Sequence, residues 1–156
     1  MRSIEINGSR IIEVRPPRIA QLLVLIAFVT HWFFPVSARL YSNATLGVIG
    51  IVGGLSLMLV AWRQFKKRDT AVCPTDTPSS LVTDGVFRVS RNPMYLGILI
   101  TLVGFALIAG SIPFYLAVIA WFVVMDRAFC PYEEEKLTDL FADRYVDYCD
   151  RVRRWF

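Results

Sequence analysis

Charged residues flank a long uncharged stretch, and they are of types that bind small charged ligands. Arg91 lies just before Pro93 on one side, and the Glu133 to Glu135 run lies on the other. Pro93 suits the first turn of a helix, and Asn92 or Ser90 suits its cap. A helix N-terminus presents unpaired N–H groups and a partial positive charge. Together with arginines and carboxylates, it indicates a site for a zwitterionic or cationic cofactor.

The elements that position these residues are membrane helices. Of the 156 residues, 55% are hydrophobic and 19% are charged, and the mean hydropathy is +0.49. Soluble domains carry about 25% charged residues and rarely contain apolar runs near 20 residues, which excludes a water-soluble single-domain enzyme. The uncharged stretches Ile19 to Val36 and Ala44 to Trp62 predict two spans. Gly50 and Gly54 give the second span a small-residue face for close helix packing.

The uncharged stretch from Met94 to Met125 is 32 residues long, which suits two helices better than one crossing. Gly110 and Pro113 predict the break between them. Each arm has about 15 residues, or roughly 23 Å, slightly short of the roughly 30 Å hydrocarbon core. The predicted fold class is all-α: a polytopic membrane protein with about four transmembrane helices, the last two forming a helical hairpin, and a C-terminal amphipathic helix.

The segment after Met125 carries apolar residues at helical spacing: Leu137, Leu140, Phe141, Tyr145, Tyr148 and Val152. This spacing predicts the amphipathic helix. On pattern alone it favours an interfacial helix below the spans, with the acidic run as a solvated face. The predicted hairpin favours a second interpretation, in which the acidic run is part of the cofactor site. Because its turn centres near residue 111, the Arg91 to Tyr95 segment and the Glu133 to Glu135 run come within reach of each other.

Basic residues are distributed asymmetrically along the chain. Of the 17 Lys and Arg residues, 4 precede the first span, 6 lie from Arg63 to Arg91 and 6 follow Met125. The positive-inside rule places these three regions in the cytoplasm. The predicted organisation is one membrane domain over residues 1–156, with a cytoplasmic N-terminus (1–18), a cytoplasmic cofactor-binding connection (63–93) and a cytoplasmic amphipathic tail (126–156). Cationic flanks beside an anionic leaflet account for the net charge of +4, so we expect no nucleic-acid partner.

Cysteine and histidine usage gives no sign of a disulfide or a metal site. Cys73, Cys130 and Cys149 all fall on the predicted cytoplasmic side without CxxC spacing. His31 is the single histidine, so we expect it to pack between helices or lie at the interface. The Val36 to Ala38 segment has the small residues of a signal-peptidase site, which leaves cleavage there as an alternative to the first span.

An ordered set of motifs resembles the isoprenylcysteine carboxyl methyltransferase and phospholipid methyltransferase family of membrane enzymes. The family pattern resembles Leu-Val-Thr-x-Gly-x-Tyr, Arg-His-Pro-x-Tyr-x-Gly, a hairpin, Glu-Glu-x-x-Leu, and a tail with Phe, two Tyr and Val-x-Arg-Trp. The matching segments here are Leu81 to Phe87, Arg91 to Gly97, Glu133 to Leu137, and the tail residues Phe141, Tyr145, Tyr148, Val152, Arg154 and Trp155. The resemblance covers roughly residues 60 to 156, and the ordered set around a hairpin is more specific than any one motif.

The resemblance implies S-adenosylmethionine as methyl donor, bound on the cytoplasmic side. The residues that would line the cofactor by position are Ser79, Ser80, Leu81, Val82, Phe87, Asn92, Pro93, Met94, Tyr95 and Glu133. Glu133 could pair with the ammonium or sulfonium of the cofactor. Three positions depart from the pattern: Asn92 replaces a histidine, Phe87 replaces a tyrosine, and Phe129 stands where prenylcysteine enzymes carry a substrate-binding arginine.

The resemblance also implies a lipophilic methyl acceptor, drawn from the membrane lipids or from a lipophilic small molecule. For a carboxylate acceptor, the catalytic candidate is Arg127, which could orient it without taking a proton. For an amine, as in a phospholipid N-methyltransferase, it is Glu134 as proton acceptor. The alternatives left open are an NADPH-dependent membrane reductase of the sterol reductase type and a non-enzymatic membrane interaction protein. We expect a bacterial inner membrane location with both termini cytoplasmic.

Overall fold

The computed structural model describes residues 4–6, 9–11, 16–33, 40–70 and 77–156, the first two ranges by their backbone alone. The candidate cleavage segment at Val36 to Ala38 and Cys73 lie outside the described residues. Strands β1 (Ile4–Ile6) and β2 (Ser9–Ile11) pair antiparallel. All longer elements are helices, which confirms the all-α architecture of the membrane part. These helices are α1 (Pro16–Phe33), α2 (Ala44–Lys67), α3 (Pro93–Ala109), α4 (Ile112–Val124), α5 (Cys130–Phe141) and α6 (Asp143–Arg151).

Helices α2 and α3 pack with almost no side chain between their backbones. A Cβ built on Gly54 lies 2.5 Å from the carbonyl oxygen of Gly97, and one built on Gly97 lies 2.7 Å from that of Gly54. Gly47 and Gly104 repeat this reciprocal approach two turns away, at 2.7 and 2.6 Å. The close helix packing predicted from the small residues of the second span is therefore confirmed. Its partner is the glycine face of α3.

The hairpin turn forms where glycine and proline predict it. Gly110 ends α3 in the left-handed conformation, with φ of +61°, and its N–H donates to the carbonyl of Ala106 at 2.8 Å. This is a common way to end a helix, and glycine adopts it without a Cβ clash. The carbonyl of Gly110 accepts from the N–H of Leu40 at 2.9 Å, which ties the turn to the segment before α2. Pro113 lies in the first turn of α4.

The second arm of the hairpin continues past the apolar stretch. One π-helical turn, Met125–Phe129, joins α4 to α5, so the helix is continuous from Ile112 to Phe141 over 30 residues. It ends at Ala142, which has a positive φ of 46°, and α6 follows in a new direction. The predicted C-terminal amphipathic helix is present in two parts, divided at Ala142. Leu137, Leu140 and Phe141 lie in α5, Tyr145 and Tyr148 are buried in α6, and Val152 follows α6. The difference from the sequence pattern is that Glu133 to Glu135 belong to the hairpin arm.

Three described helices are long and apolar enough to cross a membrane: α1, α2 and the arm from Ile112 to Phe141. Helix α3 is apolar but shorter, with 17 residues. At 1.5 Å per residue it is roughly 26 Å long, a few ångströms short of the roughly 30 Å hydrocarbon core. The chain is thus an integral membrane protein, and a complete fourth crossing stays a prediction. His31 lies edge-on to Phe114 of α4 at 6.2 Å between ring centroids, which confirms a helix-packing position.

Candidate active site

The N-terminus of α3 follows a short loop, residues 89–92, that carries the three polar residues Ser90, Arg91 and Asn92. Pro93 occupies the first turn, as predicted, and Asn92 is the capping residue by position. Neither predicted cap bonds the helix with its side chain: the Asn92 side chain donates to the carbonyl of Arg154 at 3.2 Å, and Ser90 Oγ accepts from the Asn92 N–H at 3.1 Å. The first turn of α3 therefore keeps amide groups that no side chain of the described residues caps.

Tyr95 and Glu133 join the two arms of the hairpin. Tyr95 lies in the first turn of α3, and its ring is buried edge-on to Trp121 at 6.2 Å between centroids. Its hydroxyl donates a hydrogen bond to Glu133 Oε1. The prediction that the Arg91 to Tyr95 segment reaches the Glu133 to Glu135 run is thereby confirmed. A carboxylate lies directly beside the start of α3, at the cluster where a cationic group could bind.

Glu134 lies beside Glu133 and pairs with two arginines. Arg154 donates to both carboxylate oxygens, from Nε to Oε1 at 2.9 Å and from Nη2 to Oε2 at 2.6 Å. Arg91 Nη2 lies 3.3 Å from Oε1. The Arg91 side chain is only 15% exposed, and its Nη1 also donates to Cys149 Sγ at 2.5 Å. Its Nε is buried and has no hydrogen-bond partner among the described residues. Charge pairs this well enclosed fix the geometry of their partners.

The π-helical turn aligns Asp126 with the same network. Asp126 Oδ1 accepts from Arg154 Nη1 at 3.1 Å and from Trp155 Nε1 at 2.9 Å. Hydrogen bonds to Glu134 and Asp126 hold the pKa of Arg154 above its usual value, so the guanidinium stays charged. Single π-helical turns are frequent at functional sites because the extra residue redirects the side chains around it.

Aromatic and aliphatic side chains pack into a hydrophobic cluster that we name the apolar wall. It contains buried Ala61, Val82, Phe87, Tyr145, Tyr148 and Val152, with Leu81, Met94 and Phe65 packed against them. Phe65 and Phe87 meet edge-on at 5.1 Å, and the Tyr148 hydroxyl donates to the carbonyl of Phe87 at 2.6 Å. Burial raises the pKa of both Tyr145 and Tyr148, so each hydroxyl stays protonated at neutral pH.

The connection between α2 and α3 is fixed by Thr70. Thr70 is buried, and its hydroxyl oxygen accepts from the N–H groups of Ser79 and Ser80 at 3.0 and 3.2 Å. Ser79 Oγ donates to the carbonyl of Asp69 at 3.0 Å. Ser80 Oγ is buried and lacks a hydrogen-bond partner among the described residues. This arrangement holds the segment that leads to Leu81 and Val82 against α2.

The structure brings most of the candidate site residues together. Leu81, Val82, Phe87 and Met94 share the apolar wall. The polar side contains Asn92, Tyr95, Glu133 and Glu134, and Pro93 begins α3 directly after Asn92. Arg127 lies outside this group. Its side chain is 83% exposed, and its Nε lies 3.6 Å from Asp126 Oδ2. Phe129, at the position where the family pattern has an arginine, is buried in the core with Trp121 and Met125.

Sequence reasoning missed three residues of the polar cluster. Arg154 and Trp155 stand in the tail motif, but the motif gives them no role. Asp126 is the first charge after the 34 uncharged residues from Asn92 to Met125, and that position is the signal that could have drawn attention to it.

Comparison with known proteins assigns the family. The family model described as phospholipid methyltransferase matches residues 42–144, which is well over half of the chain. The chain belongs to the phospholipid methyltransferase family. This confirms the resemblance drawn from the motifs, and the matched region contains α2 to α5 with the whole connection between α2 and α3.

Two curated relatives from Arabidopsis thaliana extend the comparison. The chain is 40% identical over 76 residues to protein-S-isoprenylcysteine O-methyltransferase B, covering 46% of this chain and 36% of that protein. It is 29% identical over 143 residues to protein-S-isoprenylcysteine O-methyltransferase A, covering 86% of this chain and 70% of that protein. The first of these matches therefore spans little more than a third of the relative.

A solved structure shares the fold. The structure of the eukaryotic intramembrane Ras methyltransferase isoprenylcysteine carboxyl methyltransferase matches with a TM-score of 0.64 at 22% identity. The match covers 88% of this chain and 50% of that one. The helical membrane architecture is thus a known one, and the chain spans about half the length of that protein.

Proposed function

We propose that this protein is an S-adenosylmethionine-dependent methyltransferase that acts on a lipophilic acceptor at the cytoplasmic face of the membrane. The observation that carries the proposal is the hydrogen bond between Tyr95 and Glu133, which sets a carboxylate at the start of α3 next to the Arg91–Glu134 pair. Glu133 offers a carboxylate, and Arg91, paired with its sequence neighbour Glu134, offers a guanidinium. These two groups match the ammonium and carboxylate ends of a zwitterionic cofactor. Family membership supports methyl transfer over NADPH-dependent reduction and over a purely structural role.

The residues present fit this cofactor. Arg91 Nε and Ser80 Oγ are buried polar atoms without a hydrogen-bond partner among the described residues. Such atoms are costly to bury, and a ligand with carboxylate and hydroxyl groups would satisfy them. We propose that Glu133 binds the cationic end, and that Arg91 with Asn92 and the first turn of α3 binds the carboxylate.

The adenosine would lie against the apolar wall. Here the proposed contacts are Ser79, Ser80, Leu81, Val82, Phe87, Pro93, Met94 and Tyr95. Aromatic and aliphatic faces bind a purine by stacking and burial. The bound cofactor supplies a methyl group already activated by its sulfonium. The protein's part is to hold donor and acceptor in line and to exclude water, which needs no covalent step on a side chain.

The acceptor is proposed to be a lipid or a lipidated small molecule. The names of the curated relatives point to the carboxylate of an isoprenylcysteine. The family description points to a phospholipid, which keeps an amine headgroup as the second candidate. For a carboxylate, Arg127 could orient the acceptor from its exposed position beside Asp126. For an amine, Glu134 could take the proton, although both of its oxygens are bonded to arginines.

We also propose that both termini lie in the cytoplasm of a bacterial cell. The distribution of basic residues supports this orientation, since the segment from Arg63 to Arg91 and the tail after Met125 each carry 6 of the 17 Lys and Arg residues. The cofactor would then enter from water, and the acceptor would enter from the bilayer.

The test is methyl transfer from isotopically labelled S-adenosylmethionine. Purified protein in liposomes is incubated with the labelled donor and, in separate reactions, with an S-prenylated cysteine or with phosphatidylethanolamine. Mass spectrometry of the extracted products should show one labelled methyl ester or one labelled N-methyl lipid. Absence of label in every lipid and prenylcysteine fraction would overturn the proposal.

A further inference from the structure

We infer that Arg154 is a positioning residue of the proposed cofactor site: it fixes Glu134, the sequence neighbour of Glu133, and through Glu134 it fixes Arg91. This inference rests on the proposed function and extends it to a segment, residues 152–156, that lies beyond the part matched by the family model.

The guanidinium of Arg154 bridges two positions on the long hairpin arm. It bonds both oxygens of Glu134, and its Nη1 donates to Oδ1 and to the main-chain carbonyl of Asp126 at 3.1 and 3.2 Å. Asp126 lies in the π-helical turn and Glu134 lies two turns later in α5. A planar group with fixed N–H directions can make these four bonds together, whereas a lysine ammonium cannot.

The main chain of the same segment fixes the loop before α3. The carbonyl of Arg154 accepts from Ser90 Oγ at 3.1 Å and from the Asn92 side chain at 3.2 Å. The carbonyl of Arg153 accepts from the N–H of Arg91 at 3.1 Å. The Trp155 ring packs against Phe122 of α4 at 5.1 Å between centroids. The segment therefore connects the loop before α3 with both halves of the hairpin arm.

The shared oxygen of Glu134 links Arg154 to Arg91. Glu134 Oε1 accepts from Arg154 Nε at 2.9 Å and lies 3.3 Å from Arg91 Nη2. Arg154 sets the rotamer of Glu134 by binding it at two points, and that rotamer places the anionic partner of Arg91. Without Arg154, the carboxylate of Glu134 can rotate. Arg91 then lacks a fixed anionic partner, so the Nε of Arg91 no longer has a fixed direction.

The test uses Arg154→Lys, which keeps the positive charge and removes the planar, two-point contact. The matched control is Arg144→Lys, at an arginine exposed on α6. Isothermal titration with S-adenosylmethionine measures the dissociation constant, and SDS titration of the helical signal measures stability. We expect Arg154→Lys to raise the dissociation constant for the donor about tenfold. The KM for the donor should rise by a similar factor while kcat changes less, as expected for the loss of a positioning contact. The control should bind as the wild type does.

A thermodynamic cycle separates positioning from simple structural support. Because Arg154 acts through Glu134, Arg154→Lys combined with Glu134→Gln should bind the donor no more weakly than Glu134→Gln alone. If Arg154→Lys does not fold, Asp126→Asn tests the same network from its other end and should weaken binding a few fold. Wild-type binding by Arg154→Lys, or fully additive losses in the double variant, would overturn the inference and leave the proposed function intact. Failure of the wild type to bind the donor would overturn both.

Discussion

Glu133→Gln removes the charge from the carboxylate at the start of α3 while keeping a carbonyl oxygen that can accept from Tyr95. In the proposed complex, the lost interaction is a hydrogen bond between an ionised acceptor and a cationic donor. Such bonds contribute about 1.5 to 3 kcal/mol, and 1.4 kcal/mol is a factor of ten in affinity. The dissociation constant for S-adenosylmethionine should therefore rise about 10- to 100-fold in this variant.

Isothermal titration of the purified protein in detergent measures this change directly. Glu135→Gln is the matched control, because Glu135 is the exposed neighbour in the same acidic run. It should bind the donor within about twofold of the wild type, since an exposed carboxylate has little pairing energy. If Glu133→Gln binds as tightly as Glu135→Gln, Glu133 does not contact the cation and the site assignment fails.

Three further predictions concern stability and catalysis. Gly54→Ala should lower the free energy of unfolding in SDS by about 1 to 3 kcal/mol, because the added Cβ meets the backbone of α3. The control Gly53→Ala should be neutral or stabilising, since a Cβ there meets no described atom within 4 Å. Equal losses in the two variants would argue against the close α2–α3 contact. Burial raises the pKa of Tyr148, so the folded state binds the phenolic proton more tightly than the unfolded state does. The free energy of unfolding should therefore fall as pH rises above about 10, and Tyr148→Phe should make that decline shallower. At neutral pH, Tyr148→Phe should cost about 1 to 3 kcal/mol of stability, because it leaves the buried carbonyl of Phe87 unpaired. An unchanged alkaline limb of the unfolding curve would contradict this. Arg127→Ala should leave donor binding unchanged. If Arg127 orients a carboxylate acceptor, the same variant should raise KM for that acceptor about tenfold or more. An unchanged KM for the acceptor would show that Arg127 has no part in the mechanism.

The sequence predicts the parts of the fold that depend on local chemistry. The hairpin turn follows from the conformational freedom of Gly110 and the fixed φ of Pro113. The close packing of α2 against α3 follows from small residues four apart. Hairpin geometry places Met94 opposite Asp126 and Arg127, and so brings the Arg91 to Tyr95 segment within reach of the acidic run. The particular contact of Tyr95 with Glu133 lies beyond this equal-distance argument.

The polar network around Arg154 could not be predicted in this way. Its partners are separated by 20 and 28 residues from Arg154 along the chain, and no local pattern pairs them. Two backbone features decide the outcome: the π-helical turn at Met125–Phe129, which continues the hairpin arm, and the positive φ of Ala142, which redirects α6. No residue in the π-helical turn signals that conformation by its type. Ala142 gives no signal either, since alanine rarely adopts a positive φ.

The same features explain why the catalytic candidates differ in their surroundings. Arg127 is the arginine nearest Phe129, where the family pattern has a substrate-binding arginine, but the helix turns it outward, to 83% exposure beside Asp126. The inward-facing guanidinium groups are those of Arg91 and Arg154, at 15% and 29% exposure. Which side chain of a cluster faces inward depends on the helix phase, and the phase changes at the π-helical turn.

The most direct test of the account is calorimetric titration of the wild-type protein, in detergent or nanodiscs, with S-adenosylmethionine and separately with NADPH. We expect saturable binding of S-adenosylmethionine at one site per chain and no saturable heat with NADPH. Binding of NADPH alone, or no binding of the methyl donor, would contradict the claim that the cluster around Tyr95, Glu133 and Arg91 is a methyl-donor site.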